Sequence, residues 1–438
     1  MQASQAALDL ERVQAIIDSP EGEAAPGCAL AIFRDGESQH LFSGFADIEA
    51  GRRPDADTLY YAGSLAKQFT ALAVVQLVLA GQIELQTPAR RYLPELAART
   101  PDITVEMLLH HTSGLPNYAK LAPLAGYQRP SDLVRADVLQ MLLDYQGGAF
   151  PPGATFEYSN GGYLLLSAIV ERLTGTSFAA YVRENILDPL GMSRSRVLEG
   201  GFPEDANLAR GYTPAEGGFA LAEHVPMFGG AGAMMFTLND LARYFHDIEH
   251  GRRVWTPEVA RLMTAPGLYA DRSPVILPVP GHIFGYAGGL MLSRDWVQHG
   301  GNFAGFQAWF GWRPGTGVGL ALLCNRGDVD PLALAARVVA VVAPDIPAPD
   351  TQRFMLDGFA GRFVSDTLSA VYEIATDEGE DLAVTITPPG RAPSAQLRFL
   401  RTGEGVFAAG PVTLVFDPDH RGFCARNENV SVRYRRAP

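Results

Sequence analysis

Ser64-Leu65-Ala66-Lys67-Gln68-Phe69-Thr70-Ala71-Leu72-Ala73-Val74-Val75-Gln76-Leu77-Val78-Leu79-Ala80-Gly81 joins a short polar head to a run of Ala, Leu and Val, with Gly81 as a stop signal. Wound at 3.6 residues per turn, the run carries apolar groups on nearly every face, so it predicts a helix buried on all sides. Ser64 and Lys67 stand three residues apart, nearly one turn, and project from the same face. A serine hydroxyl is a poor nucleophile until a neighbouring base takes its proton. A lysine can be that base when burial lowers its pKa. Only two of the 35 basic residues are lysines, Lys67 and Lys120, so a lysine inside an apolar segment asks for a reason. Arginine keeps its proton in a protein, whereas a desolvated lysine can lose it. The helix N-terminus adds unpaired N–H groups and partial positive charge beside the hydroxyl. Taken alone, Ser-x-x-Lys is a weak signal, and a Ser64 that only caps the helix explains it as well.

Upstream, Cys28-Ala29-Leu30-Ala31-Ile32-Phe33 and Gln39-His40-Leu41-Phe42 flank Arg34-Asp35-Gly36, a hairpin signal. Downstream, helical patterns cover residues 104–111, 131–145, 162–173 and 238–248. Strand patterns return at residues 289–292, 296–299, 305–310 and 317–324, the last two joined by Arg313-Pro314-Gly315-Thr316-Gly317. Strands, then helices, then hairpin-linked strands predict an α+β fold with an antiparallel sheet. A last helix over residues 331–342 leads into Ala343-Pro344-Asp345-Ile346-Pro347-Ala348-Pro349-Asp350, a stiff linker. Short alternating runs follow at residues 371–374, 382–386, 412–416 and 430–434. The chain thus divides into residues 1–342, a Pro-rich linker over 343–353, and a small all-β, barrel-like domain over 354–438.

Two further clusters carry polar chemistry. Tyr158-Ser159-Asn160, between Pro151-Pro152-Gly153 and Gly161-Gly162, falls at a helix entrance. There a tyrosine can relay protons beside an ammonium and an asparagine can orient an amide, while an Asx-type cap is the plainer reading. His299-Gly300-Gly301-Asn302-Phe303 ends a strand, where glycines would let a substrate backbone approach and an imidazole could bind a carboxylate or polarise the tyrosine. A lone histidine at a strand end is more often structural.

In this order and on these elements, the three clusters resemble the serine β-lactamase and penicillin-binding-protein superfamily, which uses Ser-x-x-Lys, Ser-Asp-Asn or Tyr-x-Asn, and a Lys-Thr-Gly-like strand. Tyr158–Asn160 looks like its class C branch, which includes D-aminopeptidases, DD-carboxypeptidases and esterases. His110-His111-Thr112-Ser113-Gly114-Leu115-Pro116, Pro189-Leu190-Gly191-Met192, Ala231-Gly232 and Asn239-Asp240-Leu241-Ala242-Arg243 are similar to family stretches, and the likeness runs from Gln14 to Val342. It implies a β-lactamase-like sheet flanked by helices with an all-helical subdomain. It also implies an acylated Ser64, general base and acid duties shared by Lys67 and Tyr158, and Asn160 holding Lys67 and a substrate amide. The oxyanion would sit between the backbone N–H groups of Ser64 and Asn302, beside His299, Gly300 and Gly301. The strand motif has His299 where most β-lactamases have Lys, and Asn117 or Tyr118 stands near their Gln, so Tyr118 joins the substrate-binding candidates. These departures point to a serine peptidase or amidase acting on short peptides with D- or non-standard residues; the alternatives are a carboxylesterase of the same fold, a weak β-lactamase or an inactive binding protein. No metal or organic cofactor is implied.

With 48 acidic against 35 basic residues the net charge is −13, which argues against nucleic acid and anionic membranes as partners and leaves a small-molecule or short-peptide substrate. No apolar run is long enough for membrane insertion. The first residues show no signal peptide, so the chain reads as cytoplasmic as it stands, or as periplasmic or secreted where a leader has been removed. Cys28, Cys324 and Cys424 are too few and too scattered to read as a disulfide framework. His246-Asp247-Ile248-Glu249-His250 matches a zinc-binding pattern, but the end of an amphipathic helix explains it better. Trp309, Phe310 and Trp312 read as sheet packing, and Glu157 as an exposed loop carboxylate.

Overall fold

A computed structural model describes residues 8–18, 22, 24–96, 103–199, 203–223, 228–279, 282–293, 295–349, 359–365, 367–376, 382–403, 406–409, 412–417, 422–427 and 430–437. The chain forms two compact units, Met1–Val275 with Gly285–Thr351, and Ile276–Phe284 with Gln352–Pro438. Of the stretch 343–353 expected as a linker, residues 350–353 lie outside the described residues.

The first unit is built on an antiparallel sheet. Its elements in chain order are α1 (Leu10–Ile17), β1 (Cys28–Arg34), β2 (Glu37–Phe42), α2 (Ala66–Leu79), α3 (Asn160–Thr174), α4 (Leu238–His246), β3 (Met291–Leu292), β4 (Val297–Phe303), β5 (Phe306–Arg313), β6 (Val318–Cys324) and α5 (Pro331–Val342). Strand order is β2-β1-β6-β5-β4-β3, and Tyr286 pairs with Met291 beyond β3. The β1–β2 hairpin turns through Asp35 and Gly36 at φ 55° and 82°, the pair of positive values a two-residue turn of matching twist requires. Both sheet faces are covered, which is why β1 and β6 read as unbroken apolar runs. On β1, Ala29, Ala31 and Phe33 join the core around α2, while Cys28, Leu30 and Ile32 meet α1 and α5 on the other face. Trp309 joins the second core, and Phe310 and Trp312 the first.

The helical patterns at 104–111, 131–145, 162–173 and 238–248 become Val105–Leu109, Arg135–Asp144, α3 and α4. The region also holds two small sheets that the pattern does not announce: Met234–Phe236 between Tyr60–Tyr61 and Arg196–Val197, and a hairpin of Tyr212–Ala215 with Gly218–Leu221. Pieces of two to four residues are too short for alternation to be seen.

Cys28 and Cys324 form a disulfide, correcting the expectation drawn from their spacing. Separated by 296 residues in sequence, they are direct partners in the β1–β6 register, with Cα atoms 4.0 Å apart. Only the pairing of the first strand with the last brings them together, and no sequence spacing encodes that. Cys424 is free. Thiol titration of the unreduced, unfolded protein is therefore expected to find one thiol. The Cys28→Ser/Cys324→Ser variant is expected to lose on the order of 5 kcal/mol in urea unfolding, because the unfolded chain is freed from a long closed loop. Three reactive thiols would remove the bond from the account.

The second unit contains a closed eight-stranded barrel: Gly361–Val364, Val371–Thr376, Leu382–Thr387, Leu397–Gly403, Val406–Ala409, Val412–Phe416, Gly422–Asn427 and Val430–Arg436, each antiparallel to the next, the first closing on the last. Alternate side chains fill the interior with rings, among them Phe363, Tyr372, Phe407, Phe416, Phe423 and Tyr434. Phe423 and Tyr434 stack with centroids 5.1 Å apart. Among the described residues, no helix is long and apolar enough to cross a membrane.

Candidate active site

Ser64 sits in a single 3-10 turn, Gly63–Leu65, that leads into α2. Neither this turn nor α2 uses a side-chain cap, so the Ser64 hydroxyl is not spent on capping. It lies 3.1 Å from Lys67 Nζ. Lys67 is fully buried, and its amine also reaches Asn160 Oδ1 at 2.7 Å and the Ala231 carbonyl at 2.5 Å. Burial alone drives its pKa well below the usual lysine range. The two carbonyl oxygens can only accept, so a neutral amine places its two N–H bonds on them and turns its lone pair towards Ser64 Oγ. The ring of Tyr158 lies 4.7 Å from Nζ and that of Tyr163 5.6 Å.

The Tyr158-Ser159-Asn160 segment enters α3. Ser159 is the cap, its hydroxyl accepting from the Gly162 N–H, which frees Asn160 for Lys67. The buried Tyr158 hydroxyl faces Ser64 and interacts with it, yet completes no hydrogen bond of ordinary geometry. Burial raises its pKa, so the phenol holds its proton.

His299, Gly300, Gly301 and Asn302 lie on β4. A Cβ on Gly301 would stand 2.0 Å from the Ala62 carbonyl and 3.0 Å from Ser64 N, and one on Gly63 would meet Asn302 N at 3.0 Å. Gly301 therefore lets the Gly63–Leu65 turn press against the strand. The protein's own backbone thus already requires glycine at 301, and it brings Ser64 N beside Gly301 and Gly63 beside Asn302. Gly300 faces open space apart from the Ala308 carbonyl at 3.7 Å. His299 is buried, with Nδ1 2.5 Å from the Gly300 carbonyl and Nε2 3.4 Å from the Tyr286 hydroxyl. Both ring nitrogens face protein, so the structure does not present the imidazole to a carboxylate or to Tyr158. Burial, with the nearby Lys67, lowers its pKa to about 3.

Tyr118 starts a short helix and is buried, its ring 5.8 Å from Phe228 and its pKa pushed up to about 12 by burial. Glu157 is paired with Lys120. Asp247, inside the zinc-like pattern, accepts from the backbone N–H groups of Arg253, Val254 and Trp255. Among the described residues no three His, Cys, Asp or Glu side chains are grouped to hold a metal. Residues beyond the three clusters also enter the site: the Ala231 carbonyl on Lys67, and Tyr286 with His111 behind His299. A backbone carbonyl has no sequence signature, and Tyr286 stands in no motif. His111 and Ala231 leave a trace only in that each falls in a stretch with family likeness.

The family model described as Beta-lactamase matches residues 13–343. Penicillin-binding protein 4 of Amycolatopsis lactamdurans is 29% identical over 76% of this chain and 91% of its own length. A D-aminopeptidase of Cereibacter sphaeroides is 26% identical over 69% of this chain and 57% of its own length. Esterase EstB of Burkholderia gladioli is 36% identical over 41% of this chain and 50% of its own length.

Proposed function

Because the chain belongs to the β-lactamase family and is a serine hydrolase of that family, we propose that Ser64 becomes acylated, and that the acyl group comes from short peptides containing D- or other non-standard residues. The observation that carries this reading is the Lys67 amine, buried, held by two carbonyl acceptors and aimed at Ser64 Oγ. As Ser64 attacks the carbonyl carbon, its proton passes to Nζ. The ammonium so formed lies against the Tyr158 ring and lowers the cost of a phenolate, so Tyr158 can give its proton to the departing nitrogen and recover one from Lys67. The N–H groups of Ser64 and Asn302 would receive the oxyanion. Water then takes the place of the departed amine: it gives a proton to the base as its oxygen bonds the acyl carbon, the Ser64 Oγ–acyl bond breaks, Ser64 recovers a proton and the acyl group leaves as a carboxylic acid.

The class of substrate is supported by the D-aminopeptidase relative and by His299 in place of the strand lysine. The esterase relative favours a second reading, in which activated esters are the better substrates. The disulfide supports an oxidising compartment. Incubation with a library of L- and D-configured peptide amides, followed by intact-mass analysis, is expected to find an adduct on Ser64 drawn from the D-containing members. Matched ester and amide pairs separate the readings. Turnover of esters with no amide cleaved across the panel overturns the peptidase assignment in favour of the esterase.

A further inference from the structure

We propose that His111 and Tyr286 are positioning residues, forming a buried hydrogen-bonded bridge that holds the Tyr158–Asn160 segment at a fixed distance from the His299–Gly301 strand. Four contacts make it. Ser159 N–H donates to His111 Nδ1 at 3.1 Å, and His111 Nε2 lies 3.1 Å from the Tyr286 hydroxyl. The same hydroxyl is 3.4 Å from His299 Nε2, and His299 Nδ1 is 2.5 Å from the Gly300 carbonyl.

For neutral rings the protons are dictated from both ends. A backbone N–H can only donate, so His111 Nδ1 accepts and its proton sits on Nε2, pointing at the Tyr286 oxygen. A carbonyl can only accept, so His299 carries its proton on Nδ1 and offers the Nε2 lone pair to the Tyr286 O–H. One arrangement satisfies every group and no ring nitrogen is left over. The surroundings favour neutral rings: burial and the neighbouring Lys67 disfavour charge on both, and His110 adds to this at His111. Tyr158 and Tyr163 complete the titratable groups facing the bridge, Tyr163 donating to the Leu109 carbonyl.

His111 adopts φ 57°, an uncommon conformation for a residue other than glycine. It delivers the ring among Phe156, Tyr158, Tyr163 and Tyr286, with the Tyr158 centroid 4.4 Å away. One end of the bridge therefore fixes the residue between Tyr158 and the Asn160 that holds Lys67. The other fixes the strand whose Gly301 borders Ser64 N and whose Asn302 borders Gly63.

The kinetic consequence rests on the acyl-transfer reading; the geometry does not. The test uses Tyr286→Phe, His111→Asn and the double variant. Asparagine tolerates a positive φ and retains an acceptor for the Ser159 N–H, but is too short to replace the ring. Each single change is expected to lower kcat roughly 10- to 100-fold with KM nearly unchanged, since small misplacements of reacting groups cost that much. The double variant is expected to be no worse than the weaker single one, as for two links of one chain. Multiplying losses, or an unchanged kcat, overturn the proposal. Nitrogen-15 NMR of the Ser64→Ala protein reads the bridge without turnover: His111 protonated on Nε2 and His299 on Nδ1, both still neutral at the pH where a free imidazole takes up its second proton. Mixed tautomers in that protein overturn the bridge even where Ser64 is acylated in the parent. Fixed tautomers in a parent that is never acylated at Ser64 sink the acyl-transfer reading and leave the bridge standing.

Discussion

Replacing Lys67 by arginine is expected to slow acylation of Ser64 by at least about a thousandfold, although the positive charge is kept. Nζ is fully buried and meets two carbonyl acceptors, Asn160 Oδ1 and Ala231 O, with Ser64 Oγ as the third partner. An amine with its pKa lowered by burial can release a proton there and take one from the serine. A guanidinium cannot, and it would be held as a permanent donor to the oxygen that must be deprotonated. The parent rate is expected to rise with pH as Lys67 loses its proton, and that limb should vanish in Lys67→Arg. Single-turnover acylation by an activated ester, with near-ultraviolet circular dichroism to show that the variant is folded, measures both effects. A folded Lys67→Arg protein that acylates at the parent rate would mean that the neutral amine is not the base.

Much of this arrangement is legible in the amino-acid sequence, because it is local. Ser64 and Lys67 share a helical turn, and Asn160 follows a cap residue into α3, so their directions follow from helix geometry. The unbroken apolar runs of β1 and β6 announce a sheet covered on both sides. What escapes is what depends on topology. The disulfide needs β1 beside β6; the need for glycine at 301 comes from the Ala62 carbonyl, more than two hundred residues earlier; the Tyr286 hydroxyl meets two histidines from distant segments. In the barrel, four strands announce themselves by alternation, while Gly361–Val364 and Val406–Ala409 are short, Leu397–Gly403 interleaves arginines with apolar residues, and Gly422–Asn427 shows no alternation of apolar and polar residues. Their inward positions, Phe363, Phe399 and Phe423, become evident once the barrel closes.

The protein is expected to lose much of its stability between about pH 6.5 and pH 4, above the range where most carboxylates titrate. His110 and His299 are buried, and burial is the largest cause lowering their pKa values, to about 4 and about 3. His111 is lowered as well, by burial and then by Lys67 and its histidine neighbours. The sign follows from proton counting. Below pH 6.5 the unfolded chain protonates these rings while the folded one does not, so the unfolded state binds more protons and gains free energy as pH falls. The penalty grows until pH reaches each folded pKa. For His110 and His299 it amounts to about 2 kcal/mol each by pH 5, against a total stability of about 5–15 kcal/mol for a folded protein. Urea unfolding at pH 8 and pH 5 should therefore differ by about 4 kcal/mol from these two rings alone, with His111 adding to the difference. Catalytic rate and stability would then both fall as pH is lowered, for separate reasons: Lys67 reprotonates, and the histidine-lined core takes up protons by opening. A stability unchanged between pH 8 and pH 5 would show that the rings are charged or wet in the folded protein, and the account of a dry site with neutral rings around Lys67 would fall with it.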